Sequence, residues 1–447
     1  MADAQSGCVA PEFASLLGSL PRHRQGQLRL AGRVARRLRM PVYLIGGSVR
    51  DLLLGRPSPD LDLCVVGDGI AFARALAREL GAPRAVETRF LTSKIASSAG
   101  TIDVATARRE TYPRPGALPR VSPGDIDGDL ARRDFTINAM ALRLDRRRRE
   151  LLDPLGGGRD LSRRQLRMLH ARSFVDDPTR LLRAARYAAR LGFHLERRTL
   201  RLAREAVAAG VMDRVSGERL RRELLLLLEE PRASAGWRLC GKLGVSQALH
   251  PGLAVEADTP AALCRSGEIC ERFSRCRPGA NPDCALARLL VLARSLSPAE
   301  GCALSERLRL TARHRQALSA YLERQGRARR ALAAARLRNS ALARALEGLP
   351  LEAVVALAAT SSPRARRRCE LFLTHLREMK ALLRGEDLLA QGFAPHPAWG
   401  RALAAARDAR RDRRARSKNE ELRIAAAVLR AHGVRSSRRA DDRGQGG

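Results

Sequence analysis

Two glycines and two aspartates near the N-terminus have residue types and a spacing that could do chemistry. Gly46 and Gly47 follow a short apolar run, and twelve residues separate them from Asp60 and Asp62. A Gly-Gly pair after a buried strand lets the backbone approach a phosphate closely. Asp60 and Asp62 alternate on a predicted strand and therefore face one side. The pattern predicts a triphosphate site with Mg²⁺ on both carboxylates; the alternative is a turn with a solvated Asp-x-Asp.

Two metal ions on these carboxylates would activate an attacking 3′-hydroxyl and stabilise a leaving pyrophosphate. A helix is predicted from Ser48 onward, and its N-terminus would favour an anion. Arg50 in that helix would add a guanidinium for phosphate. These residues therefore extend the predicted triphosphate site.

A second polar cluster is Arg132-Arg133-Asp134. Two cations followed by an acid suit a phosphate and ribose site, with Asp134 expected to orient Arg133. The alternative is a buried structural ion pair.

A third cluster is Asp177, Arg180, Arg183 and Arg186, which stand three residues apart. On a helix, residues at this spacing lie on neighbouring turns of one face. Asp177 would accept and Arg180 would donate hydrogen bonds, so that the pair could meet the Watson–Crick edge of an incoming base. The alternative is a solvated, charged helix face.

Apolar patterning indicates which elements position these clusters. Gly69–Leu80 reads as an amphipathic helix, and strand-like runs precede and follow it at Val42–Ile45, Leu61–Val66, Ile102–Ala105 and Ile137–Leu144. From about Leu161 onward the sequence is rich in Leu, Ala and Arg at helical spacing, and strand signals disappear. The chain is therefore predicted to have an N-terminal α/β or α+β catalytic head and a long all-helical remainder.

The helical part has several predicted interruptions. Pro231, Pro251 with Gly252, and the segment Gly348–Pro350 break the helical pattern. The stretch from Arg265 to Pro282, with its cysteines and a Pro-Gly-Ala-Asn-Pro run, is expected to be a loop.

Charge and cysteine usage restrict the class of protein. The formal net charge is +36, nearly all of it from Arg, which favours a polyanionic partner. Nine cysteines, an odd number, are expected to be reduced thiols, although Cys264, Cys270, Cys276 and Cys284 cluster. No apolar run reaches the length of a membrane span and no secretory signal is visible, so a cytoplasmic protein without membrane contact is expected.

The run Leu44–Gly55, followed by Asp60 and Asp62, resembles class II tRNA nucleotidyltransferases (CCA-adding enzymes) and bacterial poly(A) polymerases of the polymerase-β nucleotidyltransferase superfamily. Four further runs match this family's motifs in order, at residues 132–140, 152–161, 176–187 and 216–224. The motifs together span roughly residues 40 to 230. The resemblance implies an α+β fold whose polymerase-β-like head has a mixed or antiparallel sheet, followed by an all-α neck, body and tail.

The resemblance also implies a set of site residues. It places two Mg²⁺ ions on Asp60 and Asp62 during catalysis, with Asp103 as a third carboxylate. It assigns nucleotide binding to Gly46, Gly47, Arg50, Arg133, Asp134, Asn138, Asp177, Arg180, Arg183 and Arg186. One departure is Leu91, where the family has Gly in Phe-Gly-Thr, and this is expected to alter a loop that bears on the switch from C to A addition.

Composition and motifs together divide the chain into five predicted parts. These are a catalytic head (1–160, with 1–25 poorly ordered), a nucleotide-selecting neck (161–230), a body (231–348), a tRNA-binding tail (349–435) and a disordered C-terminus (436–447).

The implied activity is template-independent addition of C, A or both from CTP and ATP to the 3′ end of tRNA, with release of pyrophosphate. Asp176–Arg180 and Ala117–Val121 resemble members that add only the terminal A, and full CCA, CC-only and A-only addition all stay open. A poly(A) polymerase and an inactive RNA-binding homologue are the alternatives, although Arg190–Glu196 is typical of the tRNA enzymes. Oligomeric state and the exact tRNA contacts stay open.

Overall fold

The structure is a computed structural model that describes residues 17–437, apart from residues 19, 57–59, 83–85, 89–90, 98–99, 147–149 and 254. The chain forms two compact units, Met1–Leu249 and His250–Gly447. In the described part of the chain, no helix has both the length and the apolar character needed to cross a membrane.

The first unit is built on a mixed sheet. Its strands are β1 (Val42–Ile45), β2 (Leu61–Val65), β3 (Val86–Thr88), β4 (Thr92–Ser97), β5 (Gly100–Thr106), β8 (Ala141–Arg143) and β9 (Leu151–Leu152), and β6 (Arg108–Thr111) with β7 (Arg120–Pro123) forms a separate hairpin. Among the described residues the main sheet has seven strands in the order β3-β4-β5-β2-β1-β8-β9. β2 and β5 run parallel and the other neighbours antiparallel. The predicted α+β head with a mixed sheet is therefore confirmed.

Apolar residues cover both faces of the central strands. Leu44 and Leu63 point into the larger core, whereas Tyr43 and Cys64 point into a smaller cluster on the opposite face. Burial on both faces explains why β1 reads as a continuous apolar run rather than an alternating one. Asp62 shares the face of Cys64, because side chains two residues apart on a strand point the same way.

Helices complete the first unit. They are α1 (Arg22–Leu38), α2 (Gly47–Leu53), α3 (Gly69–Glu79), α4 (Ile126–Ala131), α5 (Gly157–Ser162), α6 (Ser173–Asp176), α7 (Thr179–Leu191), α8 (Arg197–Ala208), α9 (Gly217–Glu229), α10 (Ala233–Leu243) and α11 (Val245–Leu249). Two 3₁₀ turns cover Thr136–Asn138 and Val211–Arg214. The predicted helix Gly69–Leu80 is confirmed as α3.

In the described residues of the second unit, the regular secondary structure is helical apart from one isolated β-bridge. Its helices are α12 (Thr259–Cys276), α13 (Cys284–Leu292), α14 (Pro298–Arg307), α15 (Ala312–Ala333), α16 (Asn339–Leu346), α17 (Leu351–Ala359), α18 (Pro363–Leu371), α19 (Gly385–Ala390), α20 (Trp399–Arg411) and α21 (Lys418–Ala431). A π-helical turn, Phe372–Leu376, follows α18. The predicted helical remainder and its breaks near residues 231, 251 and 349 are confirmed.

Three expectations about secondary structure are wrong. The loop predicted from Arg265 to Pro282 is largely helix α12, because Ile269 and Phe273 bury at helical spacing and the cysteines do not interrupt it. Ile137–Leu144 is not one strand, since a 3₁₀ turn precedes β8. Two short parallel strands, β10 (Gln165–Leu166) and β11 (His194–Leu195), also lie beyond residue 161.

The predicted disordered ends fall partly within described structure. Residues 22–25 belong to α1 and therefore are ordered, and Ser436 pairs with Phe393 in the isolated bridge. The other terminal residues, 1–16 and 438–447, lie outside the described part. The five-part division of the chain stays a prediction.

A glycine contact fixes α5 against the 3₁₀ turn that carries Asn138. A methyl group on Gly157 would lie 2.3 Å from the Thr136 carbonyl oxygen, and backbone cannot move aside as a flexible side chain can. Asp153 accepts hydrogen bonds from the Gly157 and Gly158 amides at 2.6 and 2.9 Å. This turn of helix is therefore held at both its cap and its side.

We expect Gly157→Ala to lower the free energy of unfolding by about 1–3 kcal/mol, measured by urea denaturation, because the added methyl group overpacks this contact. Gly26→Ala is the control: it lies inside α1 with nothing within 4 Å of its added methyl group. That change should stabilise by about 0.5–1 kcal/mol. Equal stability of Gly157→Ala and the unaltered protein would disprove the packing argument.

Candidate active site

Three carboxylates and an ammonium group lie along one face of the central sheet. The parallel register of β2 and β5 sets Asp62 opposite Asp103, and Asp60 precedes Asp62 by two residues on the same side. In the antiparallel register of β4 and β5, Lys94 lies opposite Asp103, with 3.6 Å between Lys94 Nζ and Asp103 Oδ1. The three predicted carboxylates therefore come together, and Lys94 is an addition that the sequence reasoning missed.

The surroundings of Asp62 favour a bound cation. Burial raises the pKa of the Asp62 carboxyl, and the charge of Asp103 raises it further. The Ser48 hydroxyl partly offsets this: it lies 3.3 Å from Asp62 Oδ2 and accepts the Asp62 amide hydrogen bond at 3.0 Å. A cation between the carboxylates would remove the charge repulsion that raises the pKa.

The donor set suits Mg²⁺ held jointly by protein and substrate. In the described part of the chain, no three His, Cys, Asp or Glu side chains are close enough to form a metal site by themselves. Mg²⁺ commonly keeps several waters and binds one or two carboxylates together with substrate phosphates. Asp60 and Asp62, with Asp103 beside them, fit that pattern.

Arg133 lies over the Gly-Gly turn. Gly46 has a left-handed backbone (φ 64°), and a Cβ there would lie 2.6 Å from Arg133 Nη1. Only glycine therefore allows both the turn and the close approach of the guanidinium. Arg133 is held by Asp129, with 2.8 Å between Nη2 and Oδ2, while its buried Nε has no hydrogen-bond partner. The Arg133 guanidinium thus keeps donor capacity beside the turn.

The expectation that Asp134 orients Arg133 is wrong, because Asp129 does so. Asp129 is fully buried and also accepts from Arg132 at 2.6 Å. Burial alone would raise the pKa of Asp129, but Arg133 and Arg132 outweigh it and lower the pKa. The structural ion pair considered for this motif is therefore correct for Arg132, which also donates to Glu110 at 2.8 Å.

Asp134 instead joins the sheet to α7. Its Oδ1 accepts from the Asn138 amide at 2.8 Å, and its Oδ2 accepts from Arg183 Nη2 at 2.7 Å. Burial alone would raise the pKa of Asp134, but Arg183, Asn138 and Arg180 lower it to about 2. Arg183 Nη1 also donates to Glu223 at 3.1 Å. A continuous chain of charges therefore crosses from the 3₁₀ turn to α9.

Arg50 and Arg186 are held in the same network rather than left open to solvent. Arg50 is 3% exposed; it donates to both carboxylate oxygens of Asp51 at 2.8 Å and to Asn138 Oδ1 at 2.6 Å. Arg186 pairs with Glu223 at 3.2 Å. The guanidinium carbons of Arg50, Arg183 and Arg186 lie 5.2–5.5 Å from the ring centre of Tyr187, within cation–π range. Their nucleotide contacts stay predictions.

Asp177 precedes α7 instead of lying on it. Its Oδ1 accepts from the Thr179 amide at 3.1 Å and from Arg219 Nη2 at 2.7 Å, so the carboxylate is fixed just before the first turn of α7. The prediction of one helix face carrying Asp177 with the three arginines is wrong for Asp177, since Pro178 and the extended backbone at Asp177 end α6 there. The hydrogen bonds that Thr179 and Arg219 donate to this carboxylate all end on Oδ1.

Arg180 is anchored beneath the same surface. It is 4% exposed and donates through Nη2 to the Arg132 carbonyl at 2.7 Å and through Nη1 to Ser173 Oγ at 3.1 Å. These bonds use only part of the five N–H groups of a guanidinium. Arg180 thus joins the neck helix to the Arg132–Asp134 turn.

One cavity of about 870 Å³ collects these groups. It is lined by every predicted site residue except Gly46 and Arg186. Arg132 of the second polar cluster also lines it, and the sequence reasoning missed other members of its lining, namely Lys94, Glu110, Tyr112, Tyr187 and Arg190. Glu110 accepts from the Tyr112 hydroxyl at 3.1 Å, and burial raises the pKa of that phenol to about 12. The signal that could have identified Glu110 is an acidic residue in β6, the strand that follows Asp103 and β5 along the chain.

Leu91 shows how the chain departs from the family at one turn. It has a left-handed backbone (φ 56°), and its carbonyl accepts from the Thr106 amide at 2.9 Å. This conformation costs a non-glycine residue roughly 1–2 kcal/mol. Leu91 therefore adopts, with strain, a turn that glycine would form without strain.

Comparisons with known proteins agree with this geometry. Residues 42–167 match the poly A polymerase head domain, and residues 192–256 match the probable RNA and SrmB-binding site of polymerase A. An A-adding tRNA nucleotidyltransferase of Geobacter sulfurreducens is 36% identical over 91% of this chain, which spans about half (47%) of that relative's length. The A-adding enzyme of Halalkalibacterium halodurans is 33% identical over 84% of this chain and 86% of its own length.

A CC-adding tRNA nucleotidyltransferase of Deinococcus radiodurans is also similar, with 35% identity over 87% of this chain and 90% of its own length. Among solved structures, a Thermotoga maritima CCA-adding enzyme complexed with tRNA superimposes with a TM-score of 0.77 and 28% identity, covering 94% of this chain and 98% of that one.

The buried Asp134 carboxylate predicts a pH-dependent contribution to stability. Its pKa is lowered from 3.8 to about 2, which corresponds to on the order of 2 kcal/mol. A carboxyl group whose pKa is lower in the folded protein stabilises the fold at pH values above its unfolded-state pKa. This stabilisation is lost as the pH falls toward the folded-state pKa. Asp134→Asn should therefore destabilise by a constant amount between pH 5 and 8, measured by urea denaturation. This difference should shrink below about pH 4 and vanish near pH 2.

Glu205→Gln, which removes an exposed pair with Arg201, is the control and should change stability little at any pH. A cost of Asp134→Asn that did not shrink between pH 4 and pH 2 would contradict the assignment.

Proposed function

Since the chain belongs to the family of tRNA nucleotidyltransferases and bacterial poly(A) polymerases, we propose that it transfers AMP from ATP to the 3′ end of tRNA, adding the terminal A. The observation that carries the proposal is the single cavity that joins Asp60, Asp62 and Asp103 to Arg133 and the start of α7. Such a cavity can hold a triphosphate, its reacting phosphorus and its base together.

Asp60 and Asp62, with Asp103 alongside, would hold Mg²⁺ on this face of the sheet. When bound, Mg²⁺ would stabilise the charge on the triphosphate and on the leaving pyrophosphate and would favour ionisation of the attacking 3′-hydroxyl. The residues of the chain bind and orient the substrate around it. Arg133 and the Gly46–Gly47 turn would bind the triphosphate, because glycine leaves room for the phosphate and Arg133 supplies donors next to it.

Nucleotide choice would depend on the segment before α7. Asp177 Oδ1 is engaged by Thr179 and Arg219, which fixes the carboxylate and leaves Oδ2 as an acceptor. An adenine presents an exocyclic amine, a donor that matches such an acceptor. Arg180, anchored on Arg132, would supply donors to the same base edge. The protein would thus take the role that a template base has in other polymerases.

A basic groove outside the cavity supports RNA as the partner. It has a volume of about 660 Å³ and lies between α8, α10 and the end of α7. Its rim carries the exposed cations Arg204, Arg232, Arg238 and Lys242, and no acidic residue lines it in the described part of the chain. The phosphates of an RNA would neutralise the positive charge of this rim. Phosphate contacts can recognise the shape that tRNAs share, since tRNAs do not share one sequence. CTP use and a cytoplasmic location stay predictions.

Purified protein with three tRNAs tests the proposal: one lacking CCA, one ending in C and one ending in CC. We expect ATP to extend only the CC-ended tRNA, by one A, resolved on a sequencing gel. Asp62→Asn should abolish extension while changing tRNA affinity less than twofold, because the basic groove is untouched. Addition of C with CTP would contradict A-only addition, and long A-tails on unrelated RNA would favour a poly(A) polymerase.

Charge reversal tests the groove separately from the cavity. Arg232→Glu with Arg238→Glu should weaken tRNA binding about tenfold or more at 0.1 M salt and lower the slope of log affinity against log salt by about two. The maximal rate at saturating tRNA should not change. Arg29→Glu with Arg33→Glu, the same charge change on the exposed face of α1, is the control. Equal loss of affinity in this control would reject the groove as a specific RNA surface.

A further inference from the structure

Two cysteines of the second unit lie together near the turn between α12 and α13. Cys270 is buried in α12, and Cys284, partly exposed, is the first residue of α13. Gly267 and Arg288 meet between these two helices, and Cys270 lies one turn after Gly267 as Cys284 lies one turn before Arg288. The two thiols therefore lie beside each other and interact through a hydrogen bond. Cys264 and Cys276, which cluster with them in the sequence, are exposed on α12. Cys270 and Cys284 thus form a thiol pair in space.

A buried arginine accompanies this pair. Arg288 lies one turn after Cys284 in α13 and is 5% exposed. A Cβ on Gly267 of α12 would lie 2.5 Å from Arg288 Nη2, so glycine at this position leaves room for the guanidinium between the helices. A nearby guanidinium favours the thiolate form of a cysteine.

The two thiols differ in acidity. The hydrogen bond from Cys270 lowers the pKa of Cys284, and Arg288 lowers it as well, against burial and the charges of Asp283 and Glu271. The same hydrogen bond, together with burial, raises the pKa of Cys270. Cys284 therefore ionises first while Cys270 stays protonated, which is the division of roles between an attacking thiol and a resolving thiol.

We propose that Cys270 and Cys284 are a redox modification site that a hydroperoxide converts reversibly into a disulfide. The Cys284 thiolate attacks the hydroperoxide, the O–O bond breaks, and the products are a sulfenic acid on Cys284 and an alkoxide, which takes up a proton. The Cys270 sulfur then attacks the Cys284 sulfur, and hydroxide leaves with the Cys270 proton as water. The thiol pair loses two electrons, and the hydroperoxide gains them.

The product would join α12 to the first turn of α13. A disulfide needs the sulfurs about 2.05 Å apart, and hydrogen-bonded thiols require only a short approach to reach it. Cys284 is partly exposed, so a small oxidant can reach the thiol that ionises first. The site is separate from the proposed catalytic residues and does not rest on the proposed function.

Peptide mapping of the full-length protein after treatment with hydrogen peroxide tests the site. A Cys276→Ser background keeps Cys284 as the only cysteine of its tryptic fragment, because Pro278 protects the bond after Arg277. We expect a Cys270–Cys284 disulfide that dithiothreitol reverses, while Cys302, exposed on α14, stays a thiol at the same dose. The proposal would be overturned if Cys264 and Cys302 were oxidised as fast as Cys284, or if the Cys270–Cys284 cross-link did not form.

Alkylation kinetics give a second test that does not need the disulfide to form. The rate at which iodoacetamide modifies Cys284, followed by mass spectrometry, should rise at a lower pH than is usual for a cysteine thiol. In Cys270→Ser, dimedone should trap a sulfenic acid on Cys284 after peroxide treatment, because no resolving thiol is present. A pH profile near that of an ordinary cysteine, or no trapped sulfenic acid in this variant, would contradict the assigned roles.

Discussion

The contact between Asp134 and Arg183 connects the two halves of the active site. Asp134 belongs to the turn before β8, and Arg183 belongs to α7, so their pairing sets the position of the helix against the sheet. Burying a carboxylate costs several kcal/mol unless charges and hydrogen bonds compensate it. Arg183, Asn138 and Arg180 supply that compensation, which is why the pKa of Asp134 falls to about 2 rather than rising. Removing any one partner would leave a buried charge unmatched.

Acidic partners explain why so many arginines can surround one cavity. Arg50 pairs with Asp51. Arg132 and Arg133 share Asp129, and Arg183 and Arg186 share Glu223. Repulsion among guanidiniums is thereby balanced within the protein before any substrate arrives. Tyr187 adds a π surface against three of them. A positive, preorganised cavity would bind a triphosphate without having to rearrange its own charges.

The sequence predicts the parts of this site that depend on local rules. A Gly-Gly turn and alternating aspartates on a strand follow from backbone geometry alone, so Gly46, Gly47, Asp60 and Asp62 are predictable from their spacing. The role of Asp103 required the family resemblance, because the register that sets it opposite Asp62 is a tertiary property.

Spacing along the sequence does not predict which side chains contact each other in the fold. Asp134 follows Arg133 directly, yet consecutive side chains point apart, and it contacts Arg183 instead, 49 residues away. Asp177 stands three residues before Arg180, but Pro178 follows it and the helix begins only at Thr179. The cysteines and the Pro-Gly-Ala-Asn-Pro run predict a loop at Arg265–Pro282, whereas the buried side chains Ile269 and Phe273 at helical spacing place most of this segment in α12.

The central claim is that the protein itself selects the base, through the acceptor that Asp177 presents. The most direct measurement is the ratio of kcat/KM for ATP to that for GTP on CC-ended tRNA, in the unaltered protein and in Asp177→Asn. Asparagine can keep the Oδ1 contacts with Thr179 and Arg219 and place a donor where Oδ2 was. We predict that the ratio falls about tenfold to a hundredfold, as one mismatched hydrogen bond of about 1–3 kcal/mol requires, while inhibition by pyrophosphate is unchanged. An unchanged ratio of ATP to GTP use would contradict the account.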